Sequence, residues 1–201
     1  MRIGYLIVLV FFYVNSSLSS TDIDCLYVAK QTKDNRYPEL SAHSKCGYLI
    51  GQDNFSLSEF HFNNLYFDKN GLASIIFDGV IFYVSKNGKV VRTHFFDNGA
   101  DYFVEGVART IAADKFGFID KGLNVAIKPE YDFAFPFRGG VAVVCNACFS
   151  VVEGEHKNVV GGEWGLINRA GKIVVPVKYK KNELVKSDEY KRATTASGQA
   201  K

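Results

Sequence analysis

Two cysteines three positions apart carry the sharpest chemical signal in this chain. Cys145-Asn146-Ala147-Cys148 has the spacing of a redox pair, half a zinc site, or a short structural staple. Redox exchange needs a thiolate, which a helix N-terminus stabilises. Here the pair follows the run Val141-Ala142-Val143-Val144, which reads as a strand, and no amphipathic helix comes after it. Zinc wants a second cysteine pair or histidines at ligand spacing. The nearest histidine, His156, lies eight residues on and stands alone. The favoured reading is a disulfide closing a tight turn. Four cysteines allow three pairings, and the simplest is local: Cys25 with Cys46, Cys145 with Cys148. Closing the loop from Cys25 to Cys46 is worth about 3 kcal/mol in a chain-entropy model.

The other reactive side chains form no catalytic set. His43, His61, His94 and His156 are scattered, and each reads as a turn or surface residue. Metalloprotease, nucleophile-elbow and phosphate-loop motifs are missing from the sequence. No metal site, no cofactor and no catalytic residue is expected, and the chain reads as a non-enzyme. Asp120 and Asp132 recur at fixed places in a repeat, which fits turn residues better than catalysts. Trp164, the single tryptophan, reads as core. The segment from Cys145 to Gly162 breaks the repeat period. It carries Glu153, Glu155, His156 and Lys157, which are the candidate partner-binding residues.

The N-terminus assigns a compartment. Met1-Arg2 is followed by an uncharged apolar run from Ile3 to Val14, then by Asn15-Ser16-Ser17-Leu18-Ser19-Ser20. A basic start, a short apolar core and a small-residue exit make a cleavable secretory signal over residues 1–19. The run is too short to span a bilayer, so no stable membrane insertion is expected after cleavage. Periplasmic or secreted location agrees with disulfide pairing. The net charge of +3 is too balanced to call for a nucleic-acid partner.

The elements that position these residues are read from turns and periodicity. Aromatics reach 14%, and 18 glycines supply turns and bulges, which favours β structure. Asn70-Gly71 and Asn87-Gly88 each separate apolar runs, the pattern of a type I′ hairpin. Tyr83, Phe118 and Leu166 align as one repeat position. Thirteen residues on lie Phe96, Tyr131 and Tyr179; two residues on lie Ser85, Asp120 and Asn168, small polar side chains suited to bonding turn backbone. Gly106-Val107-Ala108 and Gly140-Val141-Ala142 close two of the copies. A lone hairpin cannot bury its own face, so the copies are expected to stack into one continuous β core.

Two segments carry the pattern most fully. They are Phe116-Gly117-Phe118-Ile119-Asp120 through Gly140-Val141-Ala142-Val143, and Trp164-Gly165-Leu166-Ile167-Asn168 through Tyr179. In these the chain resembles the bacterial WG-repeat family. The resemblance implies a binding scaffold and carries no catalytic residues with it.

The expectation is an all-β protein of stacked antiparallel hairpin repeats, stapled by disulfides, with a short C-terminal helix or tail. Its parts are a signal peptide at 1–19, a disulfide-tied segment at 20–45, a repeat domain at 46–180 and a charged tail at 181–201. The expected function is binding of another protein, most concretely as an immunity protein that neutralises a toxin delivered into the periplasm by a system such as type VI secretion. The alternatives are a thiol-disulfide protein using Cys145 and Cys148, and a module that binds cell-wall glycan.

Overall fold

The computed structural model describes residues 22–33, 36–37, 39–50, 53–154 and 156–198. The expected signal peptide at 1–19 lies outside them.

The N-terminal half is one antiparallel sheet of six strands: β1 (Ile23–Val28), β2 (Leu40–Leu49), β3 (Phe55–Leu57), β4 (Leu72–Phe77), β5 (Val80–Ser85) and β6 (Val90–Arg92), ordered β3-β2-β1-β4-β5-β6. β2 runs straight through the expected boundary at residue 46. A short helix, α1 (Glu59–Asn64), starts at Ser58, whose hydroxyl accepts from the His61 N–H. Cys25 and Cys46 are disulfide-bonded, as their spacing suggested, and lie in a core with Phe55, Phe77 and Phe82.

The C-terminal half holds three smaller sheets. β7 (Phe95–Phe96) and β8 (Gly99–Ala100) form a miniature hairpin. β9 (Val107–Ala112), β10 (Lys115–Asp120) and β11 (Val125–Tyr131) form the second sheet. β12 (Phe133–Ala134), β13 (Val141–Glu153), β14 (His156–Asn168) and β15 (Ile173–Tyr179) form the third. Two helices end the fold, α2 (Lys181–Leu184) and α3 (Asp188–Gly198). Leu184 is buried against Trp164 and Val175, with Tyr190 and Ala193 of α3 packed beside it. The charged C-terminal segment is therefore helical and docked. Instead of one continuous sheet, the halves join by a bridge between Thr93 and Thr110 and by the Thr93 hydroxyl donating to the Arg109 carbonyl at 2.8 Å.

Four turns repeat one design. The N–H groups of Gly71, Gly88, Leu123 and Gly171 each donate, at 2.9 Å, to the carbonyls of Asp68, Ser85, Asp120 and Asn168. Each donor has positive φ, whereas Asn70 and Asn87 do not. These turns therefore need one left-handed residue, not the two of the expected type I′ geometry. The polar residue that opens each turn explains the choice. Asp68 Oδ1, Ser85 Oγ, Asp120 Oδ1 and Asn168 Oδ1 accept from the N–H of Leu72, Lys89, Asn124 and Lys172, so a side chain ties the returning strand. Turns with two left-handed residues occur instead at Asp78-Gly79, Glu105-Gly106, Ala113-Asp114 and Gly139-Gly140.

The two fullest copies also share an irregularity. Phe116 faces Tyr131 and Phe118 faces Ile127; Trp164 faces Tyr179 and Leu166 faces Val175, with the same register shift between each pair. The glycine between them permits it. A Cβ on Gly117 would sit 2.5 Å from the Ile127 carbonyl oxygen, and one on Gly165 2.5 Å from that of Val175. Thirty-five residues before Gly117 the chain has Phe82, fully buried. The partner backbone cannot approach there, β5 and β6 pair without a shift, and Phe96 does not reach the buried place of Tyr131.

The candidate binding groove and the stapled hairpin

A groove of about 970 Å³ lies where the two halves meet. Its wall is a chain of ring contacts that crosses the repeats. His94 meets Phe116 at 5.2 Å, Phe116 meets Phe133 at 5.0 Å, and Phe133 meets Phe135 at 5.0 Å. Phe135 then approaches Trp164 at 6.2 Å, and the Lys181 ammonium lies over both rings. The ladder follows from sequence. Phe133 and Phe135 stand two residues apart on an extended segment and share the groove face, whereas Phe137 turns into the core against Phe118. Phe95, Phe96 and Phe135 leave large ring areas exposed, with Phe96 at 45%. Exposed aromatic area beside a concave wall is the usual anatomy of a binding surface.

Beneath this wall lies an ion pair that sequence reading missed. Arg109 and Asp101 are each 2% exposed. Asp101 accepts from the Arg109 N–H at 2.8 Å, from Nε at 3.0 Å and from Nη2 at 2.6 Å. Arg109 also donates to the Ala134 carbonyl at 3.2 Å, reaching from one repeat to the next, and its guanidinium sits 5.4 Å from the Phe96 ring centre. A signal was present: Arg109 ends a Gly-Val-Ala-x element whose second copy has Val143. A charge at an apolar repeat position calls for a buried partner.

Asp53 fixes the groove's other margin. Its carboxylate takes Arg92 at 2.7 Å and the Ala113 N–H at 2.8 Å. Ala113 and Asp114 both hold positive φ without being glycine. Burial opposes ionisation of Asp53, but the bonds from Ala113 and Arg92 outweigh it and hold the carboxyl below its usual range.

Cys145 and Cys148 are disulfide-bonded, but not at a tight turn. Both belong to β13, where Cys145 faces Trp164 and Cys148 faces Gly161. Ala147 is in the left-handed region at φ 56° and stands opposite Gly162, at φ 67°, in unbroken register, so the staple spans a local distortion of the β13–β14 pairing with no inserted residue. Gly162 opposite must be glycine, since a Cβ there would lie 2.4 Å from the Asn146 carbonyl. Cys145 is fully buried, and neither sulfur lies at a helix N-terminus, the position that a thiol-exchange pair uses.

The period-breaking insertion is a continuation of the β13–β14 hairpin rather than an irregular loop. β12 stops pairing with β13 at Cys145, and β15 stops pairing with β14 at Trp164. Both outer edges of the hairpin continue past the last pairing of their neighbours, and Phe149 and Val152 are exposed on it. Ser150, Asn158 and Val159 carry the hairpin onto the groove. Of the expected binding residues, Glu153 ends β13 and His156 and Lys157 begin β14; their side chains, and Glu155 as a whole, lie outside the described residues.

The remaining expectations separate cleanly. Trp164 is fully buried and donates from Nε1 to the Gly161 carbonyl at 2.7 Å. Asp120 is a turn residue, held low by the Asn124 N–H. His94 lines the groove, and His61, expected at the surface, is buried in the N-terminal sheet. Among the described residues no three His, Cys, Asp or Glu side chains are placed to hold a metal ion, and no helix is long and apolar enough to cross a membrane.

No curated protein and no solved structure matches the chain. A family model described as the WG-containing repeat matches residues 116–146 and 164–181. Those are the two copies that share the Gly117 and Gly165 register shift, and over these two segments the chain is similar to the WG-containing repeat.

Proposed function

We propose that this chain is a non-enzymatic binding protein of an exported, oxidising compartment, and that it holds another protein in the groove between its two halves. The observation that carries the reading is the aromatic ladder from His94 to Trp164, left partly exposed at Phe135 and Phe96 beside the β13–β14 hairpin. Buried aromatics dominate protein interfaces when a partner covers them. The Asp101–Arg109 pair below keeps that wall rigid, which lowers the cost of ordering on binding. The two disulfides support an oxidising location. In its most concrete form the partner is a toxin delivered into the periplasm, and the chain is the immunity protein that occludes it.

Affinity capture with the oxidised, mature chain tests this. A single stoichiometric protein partner is the expected outcome. Binding to peptidoglycan alone selects the glycan reading. Mixed disulfides trapped by Cys148→Ser select the thiol-exchange reading.

A further inference from the structure

We propose that the outer edge of β13 pairs with the same edge of a second copy of this chain, antiparallel and about a two-fold axis at Ser150. Among the described residues, no strand pairs with that edge beyond Cys145, where β12 stops. Asp132 takes the Ala147 N–H. The stretch Phe149-Ser150-Val151-Val152 then runs on as one arm of the hairpin, with β14 as its strand partner. An open edge presents backbone donors and acceptors in a row, and another extended backbone is what satisfies such a row.

Proteins protect outer strands with shortness, charge, proline or cover. Protection of this kind is visible elsewhere in the molecule. β3 and β6 have three residues each. β11 carries Lys128 and Pro129, and β15 carries Pro176 and Lys178. On β14, the other arm of the hairpin, the Lys181 ammonium donates to the Val159 carbonyl at 3.2 Å and the Trp164 indole to that of Gly161 at 2.7 Å. Residues 149–152 contain no charge, no proline and no glycine. Phe149 and Val152 are 60% and 74% exposed, and Ser150 between them is exposed as well.

A second copy fits because this edge is complementary to itself. Two antiparallel strands related by a two-fold axis normal to their sheet keep matching faces together. One residue then meets its own counterpart, and its neighbours meet in pairs. With Ser150 on the axis, Phe149 of each copy lies opposite Val151 of the other. An aromatic against a β-branched side chain is a pairing that stabilises sheets. No charged residue stands among the three positions that meet. With Val151 on the axis, Phe149 would lie opposite Glu153, so Ser150 is the favoured centre. The contact uses the same edge of both chains and closes on itself, which gives a dimer and no longer array. It stands apart from whatever occupies the groove.

Sedimentation equilibrium of the oxidised chain beside Ser150→Lys and Ser150→Glu tests the pairing. The edge is small beside a standard protein interface, so the unsubstituted chain should form a reversible dimer at micromolar to millimolar concentration. Each variant alone sets like charges against each other at the axis and should dimerise about tenfold more weakly or worse. An equal mixture of the two variants sets opposite charges there and should restore the dimer. A chain that stays monomeric up to about 1 mM overturns the proposal. So does a dimer that both variants leave intact, or a mixture of folded variants that stays monomeric. If either variant loses the circular dichroism of the unsubstituted chain, amide exchange in the unsubstituted chain decides. Exchange at residues 149–152 should slow as concentration rises, and exchange that ignores concentration overturns the pairing.

Discussion

The carboxylate of Asp132 accepts a hydrogen bond of 2.6 Å from the backbone N–H of Ala147, the left-handed residue between Cys145 and Cys148. Its other oxygen takes the Lys115 ammonium at 2.5 Å. One side chain from the preceding repeat thus holds the left-handed residue that the disulfide spans, and ties it to β10. The Ala147 N–H has an acceptor that does not depend on the sulfurs.

Replacing Asp132 by Ala should therefore loosen the backbone at Ala147 even while the disulfide is intact. Charge-assisted bonds to buried or strained backbone are worth about 1.5–3 kcal/mol, and partial exposure of Asp132 and Lys115 favours the low end. Denaturant titration of the oxidised variant should show that loss, with Asp132→Asn recovering part of it. An unchanged midpoint in Asp132→Ala would show that the disulfide alone sets the conformation at Ala147.

Breaking the buried pair should cost more. Asp101→Ala leaves the Arg109 guanidinium buried without its counter-charge, a loss of about 3–5 kcal/mol. Replacing both residues by apolar ones of similar size, Asp101→Leu with Arg109→Met, should be milder than either single change. A double-mutant cycle with no coupling would remove Arg109 from its place as the tie between repeats.

The glycine of each Trp-Gly-type pair is required by contact, not by φ. Gly117→Ala and Gly165→Ala place a methyl 2.5 Å from a carbonyl oxygen of the facing strand, and overpacking of this kind costs about 1–3 kcal/mol. Gly99→Ala meets no atom within 4 Å and serves as the control, with an expected change within about 0.5 kcal/mol. Thermal melts of the three variants distinguish the cases.

Acid should weaken the turns through the carboxylates that tie them. Asp132 is held low chiefly by Lys115, Asp120 by the Asn124 N–H, and Asp68 and Asp53 by backbone bonds that outweigh the opposing effect of burial. A depressed folded value means stability is fully present above the unfolded carboxyl range, about 3.9, and is lost as pH falls through the folded value. Unfolding free energy should therefore drop below about pH 4. Asp120→Asn, which still offers an oxygen to Asn124, should flatten part of that slope; an unaltered slope would contradict the role given to Asp120.

Much of this fold was legible because the repeat fixes it locally. Asp120, Asn168 and Ser85 announced their turns, and the short spacing of Cys25 and Cys46 announced their bond. Asn70-Gly71 and Asn87-Gly88 located hairpin turns but misled on type, because the preceding Asp68 and Ser85 bind the returning strand and remove the need for a second left-handed residue. The groove was not legible. It depends on Phe82 standing where Gly117 and Gly165 stand later, which prevents the first copy from packing like its successors and leaves Phe95 and Phe96 at the surface. Nor did the charged residues near 153–157 point to Phe133 and Phe135, since the ladder needs contacts between strands far apart in sequence.

The central claim is that a protein partner sits on the aromatic ladder. The most direct measurement is the affinity of the captured partner for the oxidised chain beside Phe135→Ala and Phe96→Ala, with folding of each checked by circular dichroism. Loss of a central interface aromatic costs about 2 kcal/mol or more, so each folded variant should bind at least about thirtyfold more weakly. Undiminished affinity in both folded variants would place the partner elsewhere on the molecule and contradict the groove as its site.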